Sequence, residues 1–323
     1  MAVYTHVSAD EISEFIAEYD VGEVISFKGI AEGVENSNYL LSTTKNKFIL
    51  TLFEKRVNEN DLPFFMSLMK HLSDKGINCA EPIKDKNGNV LKELCGRPTA
   101  LISFLNGLSI TKPSRQNCRE LGEAMAEMHI AVQDFEMNRD NNLSVDGWVS
   151  LTQKCHSRAD ECHMGLSDII NQEIEFLQNN WPSDLPKGII HADLFTDNVF
   201  FLDGKLSGLI DYYFACTDIF AYDIAICINA WCFEKDGSFN ATNAAALVKG
   251  YQKKRPLTVA EINALPLLCR GSALRFILTR LYDWLNQVEG ALVKVKDPLE
   301  YLSKLQFHQK VNSSGEYGVE ISL

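Results

Sequence analysis

Ile190-His191-Ala192-Asp193-Leu194-Phe195-Thr196-Asp197-Asn198-Val199-Phe200-Phe201, followed by Leu209-Ile210-Asp211, is the stretch on which the reading of this sequence turns. Apolar, strand-like runs flank a short polar loop. Within that loop stand an Asp and an Asn, and a second Asp closes the next apolar run. Phosphoryl transfer asks a protein mainly for positioning and charge neutralisation. Asp193 offers a carboxylate to accept a proton from an attacking hydroxyl, and Asn198 and Asp211 offer oxygen ligands for a hard cation. Taken singly, each residue has a plainer reading: an Asp in a loop usually caps a turn, and a lone His is usually a packed, hydrogen-bonded one. The order H-x-D-x-x-x-x-N, then an apolar run ending in Asp, carries the signal.

Before this island the chain reads as strand-rich. Ile25-Ser26-Phe27 and Asn38-Tyr39-Leu40-Leu41 flank a glycine-bearing turn, and Lys47-Phe48-Ile49-Leu50-Thr51-Leu52-Phe53 is a β-like run. A helix is expected over 62–75, with Pro63 at its start and Gly76 past its end. Asn87-Gly88 predicts a hairpin turn, and residues 99–105 another strand. From about residue 114 the period becomes helical, with helices expected over 118–132, 166–179, 217–233, 241–253, 259–288 and 297–310. The β-like island at 188–209 lies among them. The expected architecture is α+β: a small β-rich N-terminal lobe (1–105) and a larger, mainly helical C-terminal lobe (106–323).

A chain of 323 residues that is 46% hydrophobic can bury a large core. A formal charge of -12 argues against a nucleic-acid partner, since phosphate backbones reward clustered Lys and Arg. The N-terminus has no basic segment followed by an apolar run, and no uncharged apolar stretch reaches the ~18 residues of a membrane span. Nine cysteines form no even disulfide framework, so a reduced, cytoplasmic protein is expected. Cys155-His156 and Cys162-His163 repeat at a spacing that helical periodicity explains better than zinc ligation does.

The loop and its following Asp resemble the catalytic and metal-binding segments of the protein-kinase-like phosphotransferases, in particular the aminoglycoside and choline kinase branch. There the first motif commonly reads H-G-D, and here Ala192 replaces the glycine. The resemblance implies ATP and Mg2+ as cofactors, Asp193 as catalytic base, Asn198 and Asp211 as metal ligands, and structural roles for His191 and Asp223. Residues 27–39 resemble the nucleotide-covering loop, which makes Gly29, Gly33 and Asn36 nucleotide-binding candidates together with Lys55. Ser103 and Leu105 resemble the hinge that meets adenine. One departure stands out: the third-strand position that usually holds a phosphate-binding Lys is Thr51.

Residues 27–38, 48–56, 210–218 and 225–231 are similar to the homoserine kinases of the choline-kinase-like type, in which Thr51 is no longer anomalous. The implied acceptor is L-homoserine, with oligomeric state left open. Such a zwitterion needs a cation for its carboxylate. Arg270, Arg275 and Arg280 recur on an apolar helix about 140° apart per step, so they cannot share one face. Arg275 is the candidate clamp, with a structural ion pair as the alternative, and Tyr212, Asp218 and Trp231 are candidate pocket residues. A related kinase of choline, ethanolamine, methylthioribose or an aminoglycoside, and a non-catalytic nucleotide-binding module, are the competing readings.

Overall fold

A computed structural model of the chain describes residues 5–30, 36–54, 57–155, 158–287 and 295–319. These residues fall into two compact units, and the chain passes from one to the other between Asn106 and Gly107.

The first unit holds α1 (Ala9–Ala17), β1 (Val24–Gly29), β2 (Asn36–Thr43), β3 (Lys47–Phe53), α2 (Leu62–Asp74), β4 (Lys92–Leu94) and β5 (Arg97–Ser103). Its strands form one antiparallel sheet in the order β1-β2-β3-β5-β4. The register sets Tyr39 beside Leu50 and Leu50 beside Leu101. Because side chains alternate across a strand, these residues share a face with Leu41, Phe48 and Leu52. That face forms one buried cluster with Ile12, Phe15, Ile16 and Tyr19.

Helix α1 had not been expected, although its signals were present. Ser8 accepts the Glu11 amide while Glu11 reaches back to Ser8, a reciprocal capping box, and Ile12, Phe15 and Ile16 follow at helical spacing. The Asn87-Gly88 turn is real, but it joins no paired strands. Asp85 accepts the amides of Asn87 and Asn89, so the loop satisfies itself. The paired hairpin is β4–β5, turned by Cys95 and Gly96 at φ 52° and 69°.

The second unit contains α3 (Arg115–Ala131), α4 (Val145–Cys155), α5 (Ala159–Cys162), α6 (Leu166–Asn180), β6 (Lys187–Ile190), β7 (Val199–Leu202), β8 (Lys205–Leu209), β9 (Cys216–Ile219), α7 (Phe220–Trp231), α8 (Ala241–Lys254), α9 (Val259–Leu285) and α10 (Pro298–His308). Two small antiparallel pairs, β6–β9 and β7–β8, interrupt the helices. The helix expected from 217 begins at Phe220, because residues 216–219 are drawn into the ladder with β6. Cys155 ends α4 and Cys162 ends α5, so the two Cys-His pairs do not share one helix; His156 lies outside the described residues.

Helices α3 and α8 pack through glycine. A Cβ on Gly122 would lie 2.0 Å from the Leu247 carbonyl oxygen, and one on Gly250 would lie 2.1 Å from that of Arg119. Backbone is the obstacle in both cases, so neither site has a side chain that can swing aside. Gly122→Ala is expected to destabilise the protein by about 1–3 kcal/mol. An unchanged midpoint in thermal or urea unfolding would contradict this packing.

Candidate active site

The loop between β6 and β7 hangs from one carboxylate. Asp223, fully buried in the first turn of α7, accepts the backbone N–H groups of His191 (2.9 Å) and Ala192 (2.8 Å). His129 of α3 adds a third bond, 3.1 Å from its Nε2 to Asp223 Oδ2, while Tyr251 of α8 lies 2.8 Å from Nδ1. Burial pushes the Asp223 carboxyl up, but the bonds from His129 and His191 outweigh it and hold its pKa below the usual carboxylate range. Burial pulls His129 down despite the attraction of Asp223. An ionised Asp223 facing a neutral His129 fits both directions, so Nε2–H donates to the carboxylate and Nδ1 accepts from the Tyr251 hydroxyl.

His191 stitches the loop to the next motif. Its Nε2 lies 3.0 Å from the Ile210 carbonyl, to which it donates, and the Ile210 amide donates to the Asn198 carbonyl at 3.0 Å. Its ring rests against Tyr212, with centroids 4.6 Å apart. Burial lowers the pKa of His191, which keeps it neutral. Ala192 and Asp211 adopt left-handed conformations at φ 63° and 66°, each costing roughly 1–2 kcal/mol in a residue with a Cβ. The first explains a glycine in the commoner H-G-D motif.

Asn198 is locked onto Asp193. Its Nδ2 donates to the Asp193 carbonyl at 2.7 Å and to Oδ2 at 3.0 Å. The Asn198 Oδ1 is therefore the atom left to act as a ligand. Asp193 is half-buried. Burial lifts its carboxyl well above the usual range, Arg275 pulls it back, and Asp211 and Asp197 add repulsion. Asp211 is open to solvent; the protein around it and the nearby Asp197 push its carboxyl up to about 6, a lift that water access moderates. Asp193, Asp211 and the Asn198 Oδ1 are the oxygen groups of this loop system, and repulsion between neighbouring carboxylates of this kind is what a divalent cation relieves.

The candidate pocket residues turn inward. Tyr212 is fully buried behind His191, and Trp231, 1% exposed, donates from Nε1 to the Leu194 carbonyl at 2.7 Å. Asp218 accepts from Asn141 Nδ2 at 2.6 Å and from the Ile219 amide at 2.7 Å. All three brace the loop or its ladder. Arg275, also 1% exposed, donates from a terminal nitrogen to the Ala192 carbonyl at 2.7 Å and lies over the Phe276 ring. Its helix neighbours have carboxylate partners, Arg270 with Glu173 (2.7 Å) and Arg280 with Glu300 (2.7 Å). Arg275 has no such ion pair among the described residues, and its Nε is unpartnered. Through that bond it grips the loop.

In the first unit, Gly29 ends β1 opposite Tyr39, and Asn36 opens β2 with its Oδ1 near the Glu54 amide (3.4 Å). Thr51 donates to Asn38 Oδ1 at 2.8 Å. Ser103 ends β5, where its Oγ accepts the Glu81 amide at 2.8 Å, and Leu105 follows, half-buried. Gly33 and Lys55 lie outside the described residues.

A model of the phosphotransferase enzyme family matches residues 26–257. The chain belongs to that family. It is 60% identical to the homoserine kinase of Agrobacterium fabrum over 319 residues, covering 99% of both chains. It is 59% identical to that of Rhizobium meliloti, covering 99% of this chain and 98% of the relative. To that of Rhodopseudomonas palustris it is 58% identical, covering 100% and 99%. Solved phosphotransferases share the kinase-like fold at low identity. Amicoumacin kinase has a TM-score of 0.69 at 14% identity, covering 95% of both chains. Choline kinase from Cryptosporidium parvum has 0.65 at 16%, covering 94% and 95%.

The Asp223 brace makes a signed pH prediction. Its carboxyl sits lower folded than unfolded, so its stabilisation is present above the unfolded value of about 3.9 and is lost as pH falls through the folded one. Asp223→Asn is expected to lower stability by about 1–3 kcal/mol near neutrality and to flatten the acid limb of a stability–pH curve. A wild-type-like acid limb in the variant would count against the brace.

Proposed function

We propose that this chain transfers the γ-phosphoryl group of ATP to the side-chain hydroxyl of L-homoserine, giving O-phospho-L-homoserine and ADP, a step of threonine biosynthesis. The observation that carries the reading is a full-length identity of 58–60% to homoserine kinases, in a chain that keeps Asp193, Asn198 and Asp211 on one braced loop system. Asp193 accepts the proton of the attacking hydroxyl, and the Asn198 bond to Oδ2 aims its carboxylate. Asn198 Oδ1 and Asp211 are the ligands for Mg2+. When bound, Mg2+ neutralises charge on the nucleotide phosphates. Gly29, Gly33, Asn36, Lys55, Ser103 and Leu105 are assigned to the nucleotide. A reduced, cytoplasmic setting agrees with nine free cysteines, and no described helix is long and apolar enough to cross a membrane.

A coupled ADP-release assay across L-homoserine, choline, ethanolamine, methylthioribose and an aminoglycoside tests the acceptor. Turnover is expected with L-homoserine; preference for another alcohol, or no turnover at all, would overturn the reading. Asp211→Asn is expected to shift the Mg2+ titration to much higher concentration or abolish activity. A superimposable titration would remove Asp211 from the metal site.

A further inference from the structure

An amino-acid acceptor brings a carboxylate and an ammonium, and a site that selects it must answer both charges. Arg275 is walled into the core with a terminal nitrogen on the Ala192 carbonyl, and Arg270 and Arg280 are occupied by Glu173 and Glu300. Among the described residues, Lys296 is a positive group that stands open beside the loop. Its Nζ lies 5.2 Å from the centre of the Phe195 ring and 3.7 Å from Asp197 Oδ2.

Both charges of that pair are accessible, with side-chain exposures of 60% for Lys296 and 62% for Asp197. Their positions are nevertheless fixed from below. Asp197 lies in a helical turn, Thr196–Asn198, directly before the Asn198 that is bonded to Asp193. Phe195 is wedged against Phe276, with centroids 4.8 Å apart. The chain after Lys296 is pinned because Asp297 caps α10 through the Leu299 amide and accepts from Arg280 through its carbonyl. Anchored backbones thus carry exposed charged heads beside the loop.

A pair held at 3.7 Å in solvent contributes little to folding. It therefore opens readily for a ligand that carries the same two charges in complementary order. We propose that Asp197 and Lys296 recognise the amino-acid end of the acceptor, Lys296 taking the α-carboxylate and Asp197 the α-ammonium. The hydroxyl arm is thereby directed back along the loop towards Asp193. This inference rests on the homoserine reading above. It makes the pair a specificity device rather than part of the phosphoryl-transfer machinery, and it fills the role that burial denies to Arg275.

Two truncated alcohols separate the charges: 3-aminopropan-1-ol lacks the carboxylate, and 4-hydroxybutanoate lacks the ammonium. The readout is the ratio of kcat/KM for L-homoserine to that for each analogue, or the corresponding ratio of inhibition constants where an analogue turns over too slowly. Lys296→Met is expected to lower the homoserine to 3-aminopropan-1-ol ratio on the order of tenfold to a hundredfold, as for loss of a charged hydrogen bond. Asp197→Asn should do the same to the homoserine to 4-hydroxybutanoate ratio, and Lys296→Arg should recover part of the first loss. Unmoved ratios in variants that fold like the wild type would overturn the proposal. So would equal losses on homoserine and both analogues, which would assign Lys296 to the phosphoryl group instead. If the wild type does not phosphorylate homoserine, the failure lies with the acceptor assignment and not with this pair.

Discussion

One buried carboxylate organises the catalytic segment. Asp223 accepts two consecutive backbone amides, from His191 and Ala192, and is itself held by His129. Consecutive amides can converge on one carboxylate only if the chain turns sharply, and the left-handed Ala192 lies at that turn. From there the order propagates. His191 reaches the Ile210 carbonyl, Ile210 reaches Asn198, and Asn198 closes on Asp193. Trp231 and Arg275 take the Leu194 and Ala192 carbonyls from the core side. The loop is thereby tied from several elements of one unit, which is the rigidity that a positioned general base requires.

The electrostatics follow from that rigidity. Asp211 and Asp197 both raise the proton affinity of Asp193, and Asp197 raises that of Asp211. Arg275 opposes the effect at Asp193 without ion-pairing it. Leaving Arg275 without a carboxylate partner is costly in isolation, and the acidic loop beside it is where that charge is partly answered. A divalent cation held by Asn198 and Asp211, as proposed above, would complete the balance.

Much of this was legible in the sequence because it is local. The order from His191 to Asn198 and then Asp211 is set by a short loop and a tight hairpin, so spacing alone showed that these residues stand near one another. The β-run at 47–53 and the helices from α6 onward showed their periods directly. What spacing could not reveal was burial across long separations. The apolar surroundings of Arg275, Tyr212 and Trp231 are the core, where Arg275 and Trp231 donate to loop carbonyls and the Tyr212 ring packs on His191. His129, ninety-four residues from Asp223, gave no sign of its bond to that carboxylate. Asp197 and Lys296 each read, alone, as a solvated charge. Only their common position beside Phe195 sets them apart. Helix α1 was missed for a different reason: its capping box was overlooked in a segment read for strands.

Single-turnover phosphoryl transfer in Asp193→Asn, run beside nucleotide binding to the same protein, tests the account most directly. The variant keeps the shape of the side chain while removing its basicity. The account predicts a chemical step slowed by about 10²–10⁴-fold, with ATP still bound. A single-turnover rate close to that of the wild type would contradict it.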